Sequence, residues 1–301
     1  MIFIGIDSND IFEFYRATTD VSLYITGYIP SVAGAFLTNY VDKSPSTAGS
    51  YVDIDISSDT GSDTAKIAFL LLFQDGTACQ YDIRANGWTT SHLQDLAGYA
   101  MVGAAAPLDN SEIFEVYTES IYYPITIKLV GWLKPGYAGI TNDKIDKTNG
   151  STNSWFDVDA SSDISSTISG IFFECWNGGD FGWRKNGTAI NNAAPIFFHQ
   201  FPWVEVDSSK IFEYWTDTSP PNSEIHIWGY TKEYTGPVTY TKDAIFNTVI
   251  KTTHLKDVPV SSILKKENNL ETLLNAILAI RGSWQSPSHY WGSTSSYNNI
   301  Y

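Results

Sequence analysis

Alternating apolar and polar residues dominate the chain and predict short β-strands. One pattern recurs: an Asp-rich turn leads into Ile-Phe-Glu and an aromatic strand, as DSNDIFEFY from Asp7, DNSEIFEVY from Asp109 and DSSKIFEYW from Asp207. The copies begin 102 and 98 residues apart. After each one, a second turn leads into a strand that ends in Gly and an aromatic residue. The pattern therefore predicts a strand meander that was copied within the chain.

A second block precedes the two later copies of this meander. It reads YVDIDISSD from Tyr51 and WFDVDASSD from Trp155, and each is followed by an apolar strand and a turn, Arg-Ala-Asn-Gly from Arg84 or Arg-Lys-Asn-Gly from Arg184. The helical patterns of a doubly wound sheet are missing between the strands. We therefore predict an all-β protein made of tandem antiparallel β-sandwich modules, of jelly-roll or immunoglobulin-like type.

The repeats divide the chain into four predicted parts. These are a half-module over 1–34, complete modules over 35–136 and 137–234, and a C-terminal part over 235–301 that restarts a first half. A half-sandwich leaves strand edges unpaired and an apolar face uncovered. We expect these terminal parts to be completed either within the chain or by a neighbouring copy, so that they act as joints.

The segment ENNLETLLNAILAIRG predicts the one short amphipathic helix, because its apolar residues recur at helical spacing. At about 13 residues the helix is marginal alone and must pack on its own domains or on a partner. An aromatic arm, SWQSPSHYWGSTSSYNNIY, follows it. We assign an assembly interface to nine residues near the two ends of the chain: Ile11, Phe12, Leu270, Leu273, Leu274, Ile277, Trp284, Tyr290 and Trp291.

The net charge of the chain bears on which classes of partner it can bind. With 33 acidic against 18 basic residues, the formal net charge is −15, which repels a phosphate backbone, so we expect no nucleic acid partner. We also expect no membrane insertion, because no apolar run approaches the roughly 20 residues of a membrane span. The two cysteines, Cys79 and Cys175, are predicted to be buried strand residues rather than a disulfide framework or a zinc site.

Known catalytic motifs are missing from the sequence: it has no nucleophile elbow, no H-E-x-x-H, no phosphate-binding loop and no dinucleotide fingerprint. The histidines share no spacing, which favours ordinary surface or core positions. They are His92, His199, His226, His254 and His289. We therefore predict no catalytic site and no cofactor, and that the protein is not an enzyme.

The glutamate of the repeated Ile-Phe-Glu motif is better explained by architecture than by acid–base chemistry, because it recurs in every copy. It stands at Glu13, Glu115 and Glu213, and we name Arg84 and Arg184 as candidate partners. If the neighbouring phenylalanines point inward, these glutamates point outward.

Two ligand hypotheses remain open at this point. Asp157, Asp159 and Asp163 supply hard oxygen ligands that suit calcium, although their spacing lacks the glycine and distal glutamate of an EF-hand loop. The alternative is that they are solvent-facing strand and turn residues. Trp88 and Trp183 flank the repeated Asn-Gly turns and could stack on sugars, but their positions in the two modules differ.

The order of WFDVDASS, GWRKNGT, DSSKIFEYW and IHIWGY over 154–231 resembles β-sandwich modules of virion proteins from tailed bacterial and archaeal viruses, including tail-fibre and head-decoration proteins. The resemblance implies a structural role without an active site. We therefore predict a structural protein of a virus particle, a capsid, decoration, tail or fibre component located in the virion. It would form homo-oligomers and bind other virion proteins through its terminal segments. The alternative is a tandem carbohydrate-binding or receptor-binding protein that recognises a surface glycan.

Overall fold

The computed structural model describes residues 29–120, 125–189, 194–195, 199–218 and 223–233. In these ranges the chain forms strands and one four-residue helix, and every strand pairing is antiparallel. The predicted all-β sandwich class is therefore confirmed. The predicted C-terminal helix, residues 1–28 of the predicted half-module over 1–34 and all nine assembly residues lie outside the described residues. No described helix has the length and apolar character that a membrane span requires.

The first sandwich has eight strands and one short helix. In chain order these are β1 (Gly34–Asp42), β2 (Tyr51–Asp55), α1 (Ser57–Thr60), β3 (Ile67–Phe73), β4 (Cys79–Ala85), β5 (Gln94–Leu96), β6 (Met101–Pro107), β7 (Ile113–Thr118) and β8 (Thr126–Leu133). They pair in two sheets, in the orders β1-β8-β3-β6 and β2-β7-β4-β5.

The second sandwich repeats this arrangement. Its strands are β9 (Ala138–Asp146), β10 (Ser154–Asp159), β11 (Ile168–Asn177), β12 (Asp180–Lys185), β13 (Ala194–Pro195), β14 (Trp203–Glu205), β15 (Ile211–Thr216) and β16 (Ser223–Lys232). The sheet orders are β10-β15-β12-β13 and β14-β11-β16-β9. Since β9 and β1, β11 and β3, and β16 and β8 hold corresponding places, the sequence repeat is also a structural repeat.

Side chains alternate between the inside and the outside of each sandwich, as the period of a strand requires. Leu70 and Leu72 of β3 point into the first core, and Phe173 and Cys175 of β11 point into the second. Cys79 is also buried, and both cysteines are free thiols. The prediction that they are buried strand residues is thus confirmed.

The recurring glutamates pair with the recurring arginines across the sheet. Arg84 Nε donates to Glu115 Oε2 at 2.7 Å, and Arg184 Nε donates to Glu213 Oε2 at 2.8 Å. In both modules the two residues are direct neighbours in the strand register. The preceding phenylalanines are fully buried, so the glutamates point outward, and the architectural interpretation of the motif is confirmed for these two copies.

The two sandwiches share a third apolar cluster between them. Phe69 of β3 lies with its ring 6.5 Å from that of Phe172 of β11, and Phe172 stacks on Trp228 of β16 at 5.4 Å. Trp88 and Leu133 of the first sandwich belong to the same buried cluster. Because only residues 134–137 connect β8 to β9, the shared core and the short connection hold the sandwiches together as one compact unit.

Candidate functional site at the junction of the sandwiches

A cluster of charged and imidazole side chains lies beside this shared apolar core. The first sandwich contributes Asp82 from β4 and His92 from the loop between β4 and β5. The second contributes Lys144 from β9, Glu174 from β11 and His226 from β16. We call this set, together with His199 and Glu224, the junction cluster.

Lys144 is the central cation of the junction cluster. Its ammonium lies 2.5 Å from Asp82 Oδ1 and 2.9 Å from Glu174 Oε1, and all three side chains are at most 1 % exposed. Burial alone lowers the pKa of Lys144, but the two carboxylates outweigh burial and raise it. Burial likewise raises the pKa of Glu174, and Lys144 with the neighbouring histidines brings it well below its usual value. The ion pairs therefore keep these groups charged although they are out of contact with water.

His92 bridges two carboxylates of the second sandwich. Its Nδ1 lies 3.0 Å from Glu174 Oε1, and its Nε2 lies 2.6 Å from Glu224 Oε2. The loop that carries it is held in place because the backbone N–H of His92 donates to Asp82 Oδ2 at 3.1 Å. Burial lowers the pKa of His92, but the hydrogen bond and charge of Glu174 outweigh burial and raise it.

Two further histidines complete the cluster. The His226 ring lies 4.3 Å from the His92 ring, and His199 Nε2 lies 3.4 Å from Glu174 Oε2. The contact between His199 and Glu174 lacks the geometry of a hydrogen bond. Both ring nitrogens of His199 are buried without a hydrogen-bond partner among the described residues, and so is Nδ1 of His226. Burial lowers the pKa of both residues, so both imidazoles are neutral near pH 7.

Two sets of three side chains in the junction cluster have the donor types of a metal site. His92, Glu174 and His199 each offer one ligand atom within 4.8 Å of the other two, and so do His92, Glu224 and His226. The first set is fully buried, whereas the second is partly open to solvent.

The candidate calcium ligands are placed apart from this cluster. Asp157 is exposed on β10, Asp159 Oδ1 accepts the backbone N–H of Ser161 at 2.7 Å, and Asp163 pairs with Lys147 at 2.7 Å. Calcium binding by these three residues stays a prediction.

The two tryptophans beside the Asn-Gly turns are not an exposed pair. Trp88 is 8 % exposed within the shared apolar core. Trp183 is half-buried, with its ring 5.1 Å from that of Phe181. The two rings thus lie in different surroundings in the two modules, and sugar binding by them stays a prediction.

The junction cluster was missed by sequence reasoning, which considered the histidines scattered. Three of the five histidines of the chain meet at one place, because two sandwiches formed by different segments of the chain pack against each other there. One signal was available: Glu174 stands alone in the apolar strand ISGIFFECW, and a carboxylate in a buried strand requires charged partners.

Comparison with known proteins gives no family. No protein-family model and no curated protein matches the chain. Among solved structures, PBSX exported protein XepA matches with 12% identity over 75% of this chain and 96% of its own, at a TM-score of 0.21. The CBM22-1-CBM22-2 tandem domain of Paenibacillus barcinonensis Xyn10C matches with 8% identity over 67% and 94%, at 0.17. Similarities this weak carry no argument about function.

The prediction that the protein is not an enzyme has to be withdrawn. Streptomyces albus HEPD, with its substrate 2-hydroxyethylphosphonate and Fe(II) bound, also matches, with 10% identity over 77% of this chain and 78% of its own and a TM-score of 0.22. This similarity assigns no activity to the chain. The prediction had relied on missing catalytic motifs and on histidines that share no spacing, and the junction cluster contradicts the second of these two arguments.

Proposed function

We propose that this protein is a structural component of a virus particle, in which the paired sandwiches form a rigid block and the terminal segments join it to neighbouring subunits. The observation that supports this function best is the junction itself. Tandem domains usually move relative to each other unless their interface is large and apolar. Here Phe69, Phe172 and Trp228 are fully buried between the sandwiches, and the ion pairs of Lys144 lie beside them.

The sequence adds two supports to this proposal. The repeat resembles virion β-sandwich modules, and the net charge of −15 keeps a subunit soluble before it assembles. The partners are other copies of the chain and other virion proteins, bound through the segments that contain Ile11, Phe12 and the apolar stripe from Leu270 to Ile277.

Light scattering of the full chain tests the assembly. We expect defined oligomers or polymers, and we expect Phe12→Glu to shift them towards monomers. A variant that lacks residues 1–28 should do the same while it keeps Ile29, which packs against the shared core. Tyr99→Glu is the matched control, because Tyr99 is 83% exposed and should leave the mass unchanged. A full chain that is monomeric at all concentrations would refute assembly through the termini.

Glycan binding is a second candidate, and one cleft supports it. A cleft of about 470 Å³ is lined by Tyr230 and by polar groups that suit a sugar ring and its hydroxyls, namely Lys66, Asp109, Asn110, Asn142 and Lys232. Its volume lies in the usual range of ligand sites. Binding of soluble oligosaccharides, followed by tryptophan fluorescence, should be saturable and lost in Asn142→Leu. No binding across a glycan panel would eliminate this candidate.

A further inference from the structure

The side chains around His92 present a conflict that a cation would resolve. Glu174 is held as a carboxylate by Lys144 and can only accept a hydrogen bond, so the Nδ1 of His92, 3.0 Å away, carries the donated proton. The Nε2 of a neutral His92 then has its lone pair directed outward. The side-chain amide nitrogen of Gln94 lies 2.9 Å from that nitrogen and can donate to it. Yet the carboxylate of Glu224 lies only 2.6 Å from the same nitrogen and cannot donate. Two electron-rich atoms at this distance require a positive charge, either a second proton or a metal ion.

A third ligand reaches the same place. His226 stands two residues after Glu224 on β16, so that both side chains lie on one face of the strand. Its ring is 4.3 Å from that of His92, and its Nδ1 is buried without a hydrogen-bond partner among the described residues. A buried imidazole nitrogen without a hydrogen-bond partner beside a carboxylate and a second imidazole is a suitable metal ligand.

The net charge of the junction cluster also favours a bound cation. Asp82, Glu174 and Glu224 bring three carboxylates, and Lys144 balances one of them. With His92 in its neutral, metal-binding form, two negative charges therefore remain, which a divalent cation would neutralise. Asp146, which pairs with His226 in the register of β9 and β16, adds to the negative potential.

We propose that His92, Glu224 and His226 bind one divalent transition metal ion of the zinc class. Two imidazole nitrogens and one carboxylate oxygen are a known ligand set for Zn²⁺, with a fourth position left for water. Glu174 is the positioning residue, because its hydrogen bond to Nδ1 fixes the tautomer and orientation of His92, as carboxylates commonly do behind metal-bound histidines.

The fully buried set is the weaker choice for the same ion. Lys144 contacts both oxygens of Glu174, at 2.9 and 3.0 Å, so an ion between His92, Glu174 and His199 would meet an ammonium at the carboxylate it needs. The side chain of Glu224 is 30 % exposed, which gives an ion in the partly open set a path from solvent.

Such an ion would link the two sandwiches. His92 belongs to the loop after β4, whereas both other ligands belong to β16. Binding would therefore stabilise the packed arrangement of the sandwiches relative to any state in which they separate. This role concerns the junction and does not depend on the proposed place of the protein in a virus particle.

Titration calorimetry of the full chain with ZnCl₂ tests the site, after dialysis against EDTA and then metal-free buffer. We expect one equivalent to bind with a Kd below about 10 µM, and the Tm to rise by several degrees with added Zn²⁺. Co²⁺ in place of Zn²⁺ should give the visible absorption of a four-coordinate site.

Variants distinguish Zn²⁺ binding at this site from Zn²⁺ binding by other side chains of the chain. Glu224→Gln and His226→Gln should each weaken Zn²⁺ binding at least 100-fold and abolish the Tm shift. Glu205→Gln is the matched carboxylate control, since Glu205 is exposed and pairs with Lys185, and His254→Gln with His289→Gln controls for the other histidines. The proposal is overturned if no Zn²⁺ binds, or if one equivalent still binds to His226→Gln and is lost only in the His254/His289 variant.

Discussion

The ammonium of Lys144, in the second sandwich, lies 2.5 Å from the carboxylate of Asp82 in the first. Both side chains are at most 1 % exposed, so the pair crosses the junction without contact with water. A buried ion pair contributes little net stability when it is compared with apolar residues of the same size. Removal of one partner is different, because the other charge remains buried and unpaired.

Lys144→Met should therefore be strongly destabilising. We expect the free energy of unfolding to fall by about 3–5 kcal/mol, because Asp82 and Glu174 lose their shared cation. Lys128→Met is the matched control: Lys128 pairs with Asp42, whose side chain is 61 % exposed, and its loss should cost less than about 1 kcal/mol. Urea denaturation at pH 7 measures both. Equal costs for the two variants would contradict a buried role for Lys144.

The junction core should control whether the sandwiches unfold together. Phe172 is 1 % exposed between Phe69 and Trp228, and we expect Phe172→Ala to cost about 3–5 kcal/mol. Because each sandwich keeps its own core, the variant should unfold in two steps, whereas the unchanged chain should unfold in one. Urea curves followed by fluorescence and by circular dichroism would show this. A single transition of unchanged slope in Phe172→Ala would argue against coupling through this core.

Replacement of the repeated arginines by lysine should destabilise the protein measurably. Arg184 contacts Glu213 through Nε and Nη2, at 2.8 and 3.0 Å, and lies 4.0 Å from the ring centre of Trp155. Lysine reproduces neither the two-point contact nor the stacking. We expect Arg184→Lys to lower the free energy of unfolding by about 1 kcal/mol.

The first sandwich offers the matched comparison for this prediction. Arg84 lies 3.5 Å from the ring centre of Tyr51 and donates to Glu115. Arg84→Lys should therefore cost a similar amount in thermal or urea unfolding. If only one of the two variants lowered the free energy of unfolding, the arginine–glutamate pair would not have the same role in the two modules.

Asp207 should give a pH-dependent contribution to stability. Its Oδ1 accepts the backbone N–H groups of Ser209 and Ile211, at 2.8 and 2.9 Å, and its Oδ2 accepts from Asn186 at 2.7 Å. Burial raises the pKa of Asp207, but these donors outweigh burial and lower it below the usual 3.8. A carboxylate with a lowered folded pKa stabilises the protein above the unfolded value, and this contribution is lost as the pH falls through the folded value.

Asp207→Asn tests this dependence. We expect a loss of about 1 kcal/mol at pH 7, and a difference between variant and unchanged chain that shrinks as the pH falls below about 3.8. Urea denaturation at a series of pH values from 7 downward measures it. A difference that stays constant over this range would show that the charge of Asp207 is not involved.

The features that could be predicted from the sequence are those that neighbouring residues determine. The apolar strands β3 and β11, the Asn-Gly turns and the pairing of Arg184 with Glu213 all follow from local sequence patterns and from the repeat. The junction cluster has no such local origin. His92, Glu174 and His226 lie far apart in sequence and meet only because two sandwiches pack in one particular orientation, which no periodic pattern encodes.

The contact between Phe69 and Phe172 has a further consequence. Phe69 pairs with Gly131 and Phe172 with Gly229, and in both sheets the strand register shifts directly after the phenylalanine. The two residues are thus the same position in the two copies, and they meet each other across the junction. A surface that packs against its own copy is self-complementary, as in a dimer with two-fold symmetry. The protein can therefore be understood as a dimer joined into one chain. In the register from these phenylalanines, Glu174 takes the place of Leu71. Unlike the identical subunits of a homodimer, the two halves of one chain can differ in this way, because each half can change without the other.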